Sequence, residues 1–387
     1  MKSIAIIGAG IAGLLPAYYL AKSGYRVTVY EQESYPAMRT SYANGGQVSV
    51  SNSEVWTTWA NVLKGLKWIL KKDAPLLIRP SLDWDKASWL GKFIFSTASN
   101  DSSRRTAETI RLGIESRHLY HEIINEEQLN FDQNYCGILH FYKDSKYFEH
   151  AKRLQDLYQS NGCEWQIVNR NQILDIEPRL EYANDIVGGV WTPTDWTGDI
   201  HKFCFELAQV LKNKYAVTFS FDNKITNLNL LTEDIIVIAN GVGAINLAKT
   251  IGDQLPIYPV KGYSITITAD EKSMPTVSLL DDQSKIVSSK LGNRLRIAGT
   301  AEFAGENYDI CRGRIDPLLN WVKSNLPQVN RKNFSQWTCL RPMTPNMMPI
   351  VKQSQRSNFY YHVGHGHLGW TLSPATAIQL CNLIKNN

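Results

Sequence analysis

The stretch SIAIIGAGIAG (3–13) constrains this chain more than any other. SIAIIG reads as a short buried parallel strand, apolar and rich in β-branched residues. Gly8-Ala9-Gly10-Ile11-Ala12-Gly13 follows at once, and AGLLPAYYLAKSG then carries helical apolar spacing to a C-cap at Gly24. A second strand, YRVTVYE, ends on Glu31, about twenty residues beyond the glycines. Each part has a task in holding a dinucleotide. Gly8 permits the tight turn, and Gly10 lets the backbone N–H groups that open the helix, with Ile11 and Ala12, approach a pyrophosphate. Gly13 allows close helix–strand packing. Glu31, followed by Gln32, accepts hydrogen bonds from a ribose diol. Glycine-rich turns alone are common; strand, helix, second strand and terminal acid in register are not. Pro16 is read as lying early enough in the helix for its missing N–H to be tolerated, with a tilt of the first turn.

Composition narrows the class. A chain of 387 residues has room for two domains, and a net charge of +5 is too small and dispersed for a nucleic-acid partner. Six scattered cysteines show no metal-ligand spacing, which favours reduced thiols in a cytoplasmic setting. No apolar run approaches the length of a membrane span. The opening MKSIAIIGAGIAGLL has the lysine and apolar run of a signal peptide, but its glycine spacing argues for the nucleotide turn.

Residues 233–244, EDIIVIANGVGA, form another buried strand, running into the turn Ala239-Asn240-Gly241. Such strands close nucleotide sites, although by itself this one would suit any α/β protein, and the acid at the strand end suits FAD or NAD equally. Further stretches decide. TSYANGGQVS (40–49), YPVKGYSIT (258–266), CLRPMTPNMMPIV (339–351) and VGHGHLGWTLSPATA (363–377) resemble, in order and spacing, the FAD-dependent D-amino acid oxidase superfamily. Within it the chain is most similar to the bacterial D-amino acid dehydrogenases of the small-subunit type, nearly end to end. The resemblance implies an α/β architecture: a glutathione-reductase-like Rossmann domain for FAD, interleaved with a mainly antiparallel substrate domain. The expected boundaries are 1–75, 150–245 and 325–387 for the FAD domain, and 76–149 with 246–324 for the substrate domain.

The implied activity is oxidative deamination of D-amino acids to 2-oxo acids and ammonia, by hydride transfer from Cα to flavin N5. Electrons would pass to a quinone or another electron-transport acceptor. Because the flavin carries the chemistry, the protein's part is alignment and electrostatics. Arg341 stands where the superfamily places its carboxylate-holding arginine, and a planar guanidinium matches a carboxylate bidentately. Tyr263 is either a second clamp on that carboxylate or a strand tyrosine with its hydroxyl in water; Lys261 either faces the flavin or caps a strand. His365 matches the family's pattern and is counted with the catalytic residues. Thr40, Ser41, Asn44, Gly45, Gly46 and Gln47 correspond to the loop around the ribityl chain and flavin ring, and Ile225 to an adenine-side contact. Gly364, Gly366, Leu368, Gly369, Trp370 and Thr371 would crowd the pyrimidine edge, and His367, where a small polar residue is more usual, either adds positive charge beside the flavin or reaches solvent. Ser373-Pro374 reads as an N-cap and first-turn proline, so a helix over 374–384 aims its dipole at developing negative charge. No third ligand accompanies His365 and His367, so no metal is expected.

Two features leave alternatives open. Cys339 replaces the dehydrogenases' usual glycine; related sarcosine oxidases bond a cysteine to the flavin, whereas a small buried thiol is the plainer account, with FAD held non-covalently. Residues 55–72, VWTTWANVLKGLKWILKK, place Trp56, Trp59, Leu63, Leu66 and Leu70 on one helical face, with Lys64, Lys67 and Lys71 on the other. That composition suits either a peripheral contact with the inner face of the cell membrane or a helix packed on the protein's own substrate domain. The competing activities are an oxidase of a glycine-, sarcosine- or proline-like amine that makes peroxide, and a non-enzymatic flavoprotein subunit.

Overall fold

The computed structural model describes residues 2–68, 76–78 and 83–387. Two sheets organise them. The first runs in the order Ile350–Gln353, Phe359–Val363, Ile235–Ile238, Ser3–Ile7, Arg26–Tyr30, Thr218–Ser220, parallel apart from its first pair. Its strands are apolar on both faces because helices cover both. Ile4, Ile6, Val27, Val29 and Val237 face the helices Ile11–Lys22, Ser102–Glu127, Ile200–Lys214 and Gly369–Lys385. Ala5, Ile7, Ile236 and Ile238 face the short helix Ala244–Thr250.

The second sheet is mainly antiparallel and is built around Tyr258–Thr268, flanked by Phe334–Met343 on one side and Arg294–Phe303 on the other. Tyr263, Ile265, Ile267, Leu295 and Ile297 point to one face, where the helix Arg312–Asn325 supplies Ile315, Leu318 and Val322. The opposite face carries polar residues, among them Ser264, Thr266 and Arg296, and meets the loop that leaves the nucleotide domain. The period-2 alternation of strands thus separates a core from a site.

Sheet membership departs from the expected boundaries. Gln166–Val168 and Gly188–Thr192, assigned by sequence to the nucleotide domain, extend the second sheet beside Ile138–Tyr142, and Phe334–Met343 belongs to it as well. Conversely Tyr120, Ile123 and Ile124 of the long helix Ser102–Glu127, assigned to the substrate domain, pack in the core of the nucleotide domain. Local pattern identifies strands and helices, but which neighbour completes them is decided by non-local pairing.

Candidate active site

At the nucleotide end the glycines stand where backbone crowding leaves no alternative. Gly8 has φ +105°, and a β-carbon on Gly13 would lie 1.9 Å from the carbonyl oxygen of Gly8. Asn240 follows the neighbouring strand so closely that a β-carbon on Gly8 would meet its Cα at 2.9 Å. Residues 8–13 and 239–241 are therefore brought together. The carboxylate of Glu31 accepts from the Ala9 N–H at 2.7 Å and from the Glu33 N–H at 3.0 Å, which aims it at the glycine turn. Burial raises its pKa above the usual range while these bonds oppose the rise. Gln32 follows Glu31 at the strand end. Ser41 Oγ accepts from the N–H of Ile11 at 3.2 Å, fixing that loop against the helix start. Ile225 lies half-buried against the hydrophobic cluster that includes Leu228 and Ile7.

Residues 40–47 run between the domains and are stapled to the second sheet. Thr40 Oγ1 donates to the Leu340 carbonyl (2.9 Å), and Gln47 Nε2 to Ser278 Oγ (2.8 Å). The carbonyls of Ala43, Asn44 and Gly45 accept from Ser264, Arg296 and Ser289. Asn44 Oδ1 accepts from the N–H of Gly46, closing the turn. Sequence reasoning had missed Ser264, Arg296 and Ser289, whose signal is weak: single polar residues inside otherwise buried strands. Several buried polar atoms around this track lack a partner among the described residues, including Asn240 Oδ1, Thr300 Oγ1, Trp337 Nε1 and His367 Nε2. Buried polar groups are rarely left unsatisfied, so these atoms fit a long polar ligand threaded from the glycine turn to Arg341.

Arg341 is seated by three features. It pairs with Val260, and two residues along its strand Cys339 pairs with Gly262, so both side chains share the face that meets the 40–47 loop. Its guanidinium takes the space a side chain at Gly262 would need, and Nη1 donates to the Thr300 carbonyl at 3.0 Å. Thr300 adopts φ +60° in a bulge of the pairing between Lys261 and Tyr263, which turns that carbonyl toward the arginine. Burial weighs against the guanidinium's charge, and among the described residues no carboxylate pairs with it. A half-buried guanidinium keeps further donors for an anion beside the one given to Thr300.

Tyr263 departs from the expected clamp. It lies on the opposite face, and its hydroxyl donates to the buried Glu302 at 2.5 Å. Adjacent strand positions point to opposite sides, so Gly262 beneath Arg341 puts Tyr263 in the core. Lys261 is also on that side, donating to Asn307 Oδ1 at 2.6 Å and to the Asp309 carbonyl.

The C-terminal glycine-rich segment corrects the helix reading. The helix is Gly369–Lys385, so Ser373 is no N-cap; its hydroxyl donates to the Gly369 carbonyl inside the first turns. Pro374 sits within the helix and cannot donate to the Trp370 carbonyl, and Tyr120 Oη does so instead at 2.6 Å. The N-terminal end, with Gly366 at φ +59° and Gly364 at φ +78°, is therefore displaced toward residues 366–371. Thr371 Oγ1 accepts from the Ser49 N–H at 3.1 Å. The side chains of Leu368 and Trp370 are buried in hydrophobic clusters, and the Leu368 N–H donates to the His365 carbonyl as Tyr120 does to that of Trp370. His365 is buried and neutral, its Nε2 3.0 Å from Thr376 Oγ1. His367 stacks on Trp56 with ring centroids 4.8 Å apart, and burial beside Arg341 pushes its pKa down to about 3. Trp56 is thus turned toward the site and precedes the helix Trp59–Trp68, departing from the expected helical stripe; residues 69–75 lie outside the described residues. Cys339 is a buried free thiol whose pKa burial raises.

A parallel sheet with a glycine turn, a polar track toward the second sheet and a half-buried guanidinium at its end fit a flavin-dependent oxidoreductase. The family profile described as FAD dependent oxidoreductase matches residues 3–383, and the chain belongs to that family; its cofactor is FAD. It is 44% identical to the D-amino acid dehydrogenase 3 of Mesorhizobium japonicum, covering all of this chain and 98% of that one. It is 33% identical to the D-amino acid dehydrogenase of Agrobacterium fabrum, covering 100% and 96%. Among solved structures the fold matches glycine oxidase from Geobacillus kaustophilus with TM-score 0.78 at 18% identity, covering 100% of this chain and 96% of that one. It also matches L-proline dehydrogenase from P. horikoshii with TM-score 0.75 at 16% identity, covering 100% and 93%. At these identities the structural likeness speaks for the fold.

Proposed function

We propose that the chain oxidises D-amino acids to imino acids, which water converts to 2-oxo acids and ammonia. The observation that carries this reading is the seat of Arg341, a half-buried guanidinium with no acidic partner among the described residues, on the face that meets the 40–47 loop. FAD, when bound, accepts the α-hydrogen as hydride at N5. Arg341 holds the substrate carboxylate and so aligns the α-hydrogen; an oriented reactant needs no further protein acid or base. Neutral His367, stacked on Trp56, walls the site without opposing an incoming amine by charge. The full-length relatives named D-amino acid dehydrogenase support the substrate class and an acceptor other than oxygen; a quinone or similar carrier is the acceptor proposed. FAD is held non-covalently by the glycine turn, Glu31 and residues 40–47.

The inner face of the membrane is the proposed place of electron delivery. Exposed Trp59 and Leu63, and Trp84 and Phe95 on the helix Trp84–Ala98, support it, together with Lys64, Lys67 and Lys71 in sequence. Among the described residues no helix is long and apolar enough to cross a membrane.

Anaerobic mixing with D-alanine, D-proline and sarcosine tests the activity. Bleaching of the flavin by D-alanine is expected, and bleaching by sarcosine alone would sink the reading. Repetition in air with peroxide detection separates a dehydrogenase from an oxidase.

A further inference from the structure

Pro16 is the sixth residue of the helix Ile11–Lys22, beyond the first turn, so its missing N–H deprives the Ala12 carbonyl of its helical donor. That carbonyl belongs to the turn whose N–H groups face the pyrophosphate. It is not left orphaned: His362 Nδ1 lies 2.6 Å from it, brought from the strand Phe359–Val363 at the far end of the chain. The Tyr120 hydroxyl does the same for the carbonyl that Pro374 abandons.

The protons of this contact can be assigned. A carbonyl only accepts, so Nδ1 of His362 bears the hydrogen. The ring is fully buried and neutral, which leaves Nε2 as an acceptor, and Thr376 Oγ1 stands 2.9 Å from it. The threonine has one hydrogen. Given to His362, it leaves the oxygen free to accept from His365 Nε2 at 3.0 Å. The Leu372 carbonyl, also 3.0 Å away, competes for that hydrogen, but donation there would leave the His362 lone pair facing an oxygen.

We infer that His362 is a positioning residue for the cofactor: it supplies the hydrogen bond that Pro16 removes from the nucleotide helix, and through Thr376 it holds His365 in the Nε2–H tautomer. The chain of bonds ties the pyrophosphate end of the cofactor site to the pyrimidine end across two helices. The inference rests on FAD lying at the glycine turn and is independent of the substrate.

The test is a rescue. His362→Ala should weaken FAD binding, read by quenching of flavin fluorescence, at least tenfold. Pro16→Ala restores an N–H for Ala12 but not the bond to Thr376, so the double variant Pro16→Ala/His362→Ala should bind at least threefold more tightly than His362→Ala alone. FAD binding by His362→Ala within threefold of the parent overturns the inference, as does a double variant no tighter than the single one. Nitrogen-15 spectra of the histidine-labelled parent holoprotein give a second reading that survives misfolding of the variants. Nδ1–H at His362 with Nε2–H at His365 supports the assignment, and any other pair of tautomers overturns it.

Discussion

The guanidinium of Arg341 rests against Gly262 so closely that a β-carbon on the glycine would stand 2.4 Å from Cζ. The paired strands hold Gly262 opposite Cys339, two residues from the arginine, and only the absence of a side chain lets the cation lie over the sheet. Gly262→Ala should therefore fold, because the far end of a flexible side chain gives way, while the arginine is displaced. The expected result is a change in stability within about 1 kcal/mol and a loss of at least roughly tenfold in kcat/KM, mostly in KM. Parent-like kinetics would show that the guanidinium's position does not matter.

Removing the cation should cost more than moving it. Truncating one partner of a buried ion pair typically costs about 2–5 kcal/mol, so Arg341→Ala is expected to lose about a hundredfold or more in kcat/KM. The flavin spectrum should persist, since the glycine turn and Glu31 lie at the other end of the track. Arg341→Lys should recover little of the loss, because an ammonium lacks the planar fork.

For Tyr263 the structure argues against a role in substrate binding. Its hydroxyl donates to Glu302 in the core of the second domain. Tyr263→Phe is expected to lower stability by about 1–3 kcal/mol and to leave KM within about threefold. A steep rise in KM at unchanged stability would return Tyr263 to the site.

Acid should act through the buried histidines. Burial holds His362 at about 4, against an ordinary 6.5, and keeps His365 well below that ordinary value, aided by its neighbour His362. The unfolded chain takes up protons that the native rings refuse, so their contribution is intact above pH 6.5 and is lost as pH falls toward 4. Each contributes a slope approaching 1.4 kcal/mol per pH unit in that window. Urea unfolding between pH 7.5 and 4.5 measures it; His362→Gln should be visibly flatter there, and an unchanged slope contradicts the burial argument.

The state of Cys339 can be read by acid precipitation. Burial raises its thiol pKa, with the nearby Arg341 and Arg296 only partly opposing, so the nucleophilic thiolate is disfavoured. A yellow supernatant over a colourless pellet is expected. Colour in the pellet would mean a covalent flavin.

How much could be read along the chain followed from how local each feature is. The strand, glycine turn, helix and acid are set within about thirty residues by backbone demands such as the positive φ of Gly8, and they could be read directly. Arg341 stood out through its motif, and the structure sets it on the face that meets the 40–47 loop. The helix start at Gly369 was not, because the sequence shows Pro374 as a break, whereas Tyr120 from the long helix repairs it. Likewise Pro16 announces a missing hydrogen bond, but nothing near it names His362 as the donor.

What sequence alone determined is the local architecture and the chemistry each motif carries, since torsional preference and residue chemistry travel with the residue. Tertiary structure alone decided which face each strand residue occupies, which sheet each strand joins and which distant side chain satisfies each stranded carbonyl. Register and hydrogen-bond partnership are properties of two segments at once, and no reading of either segment by itself contains them.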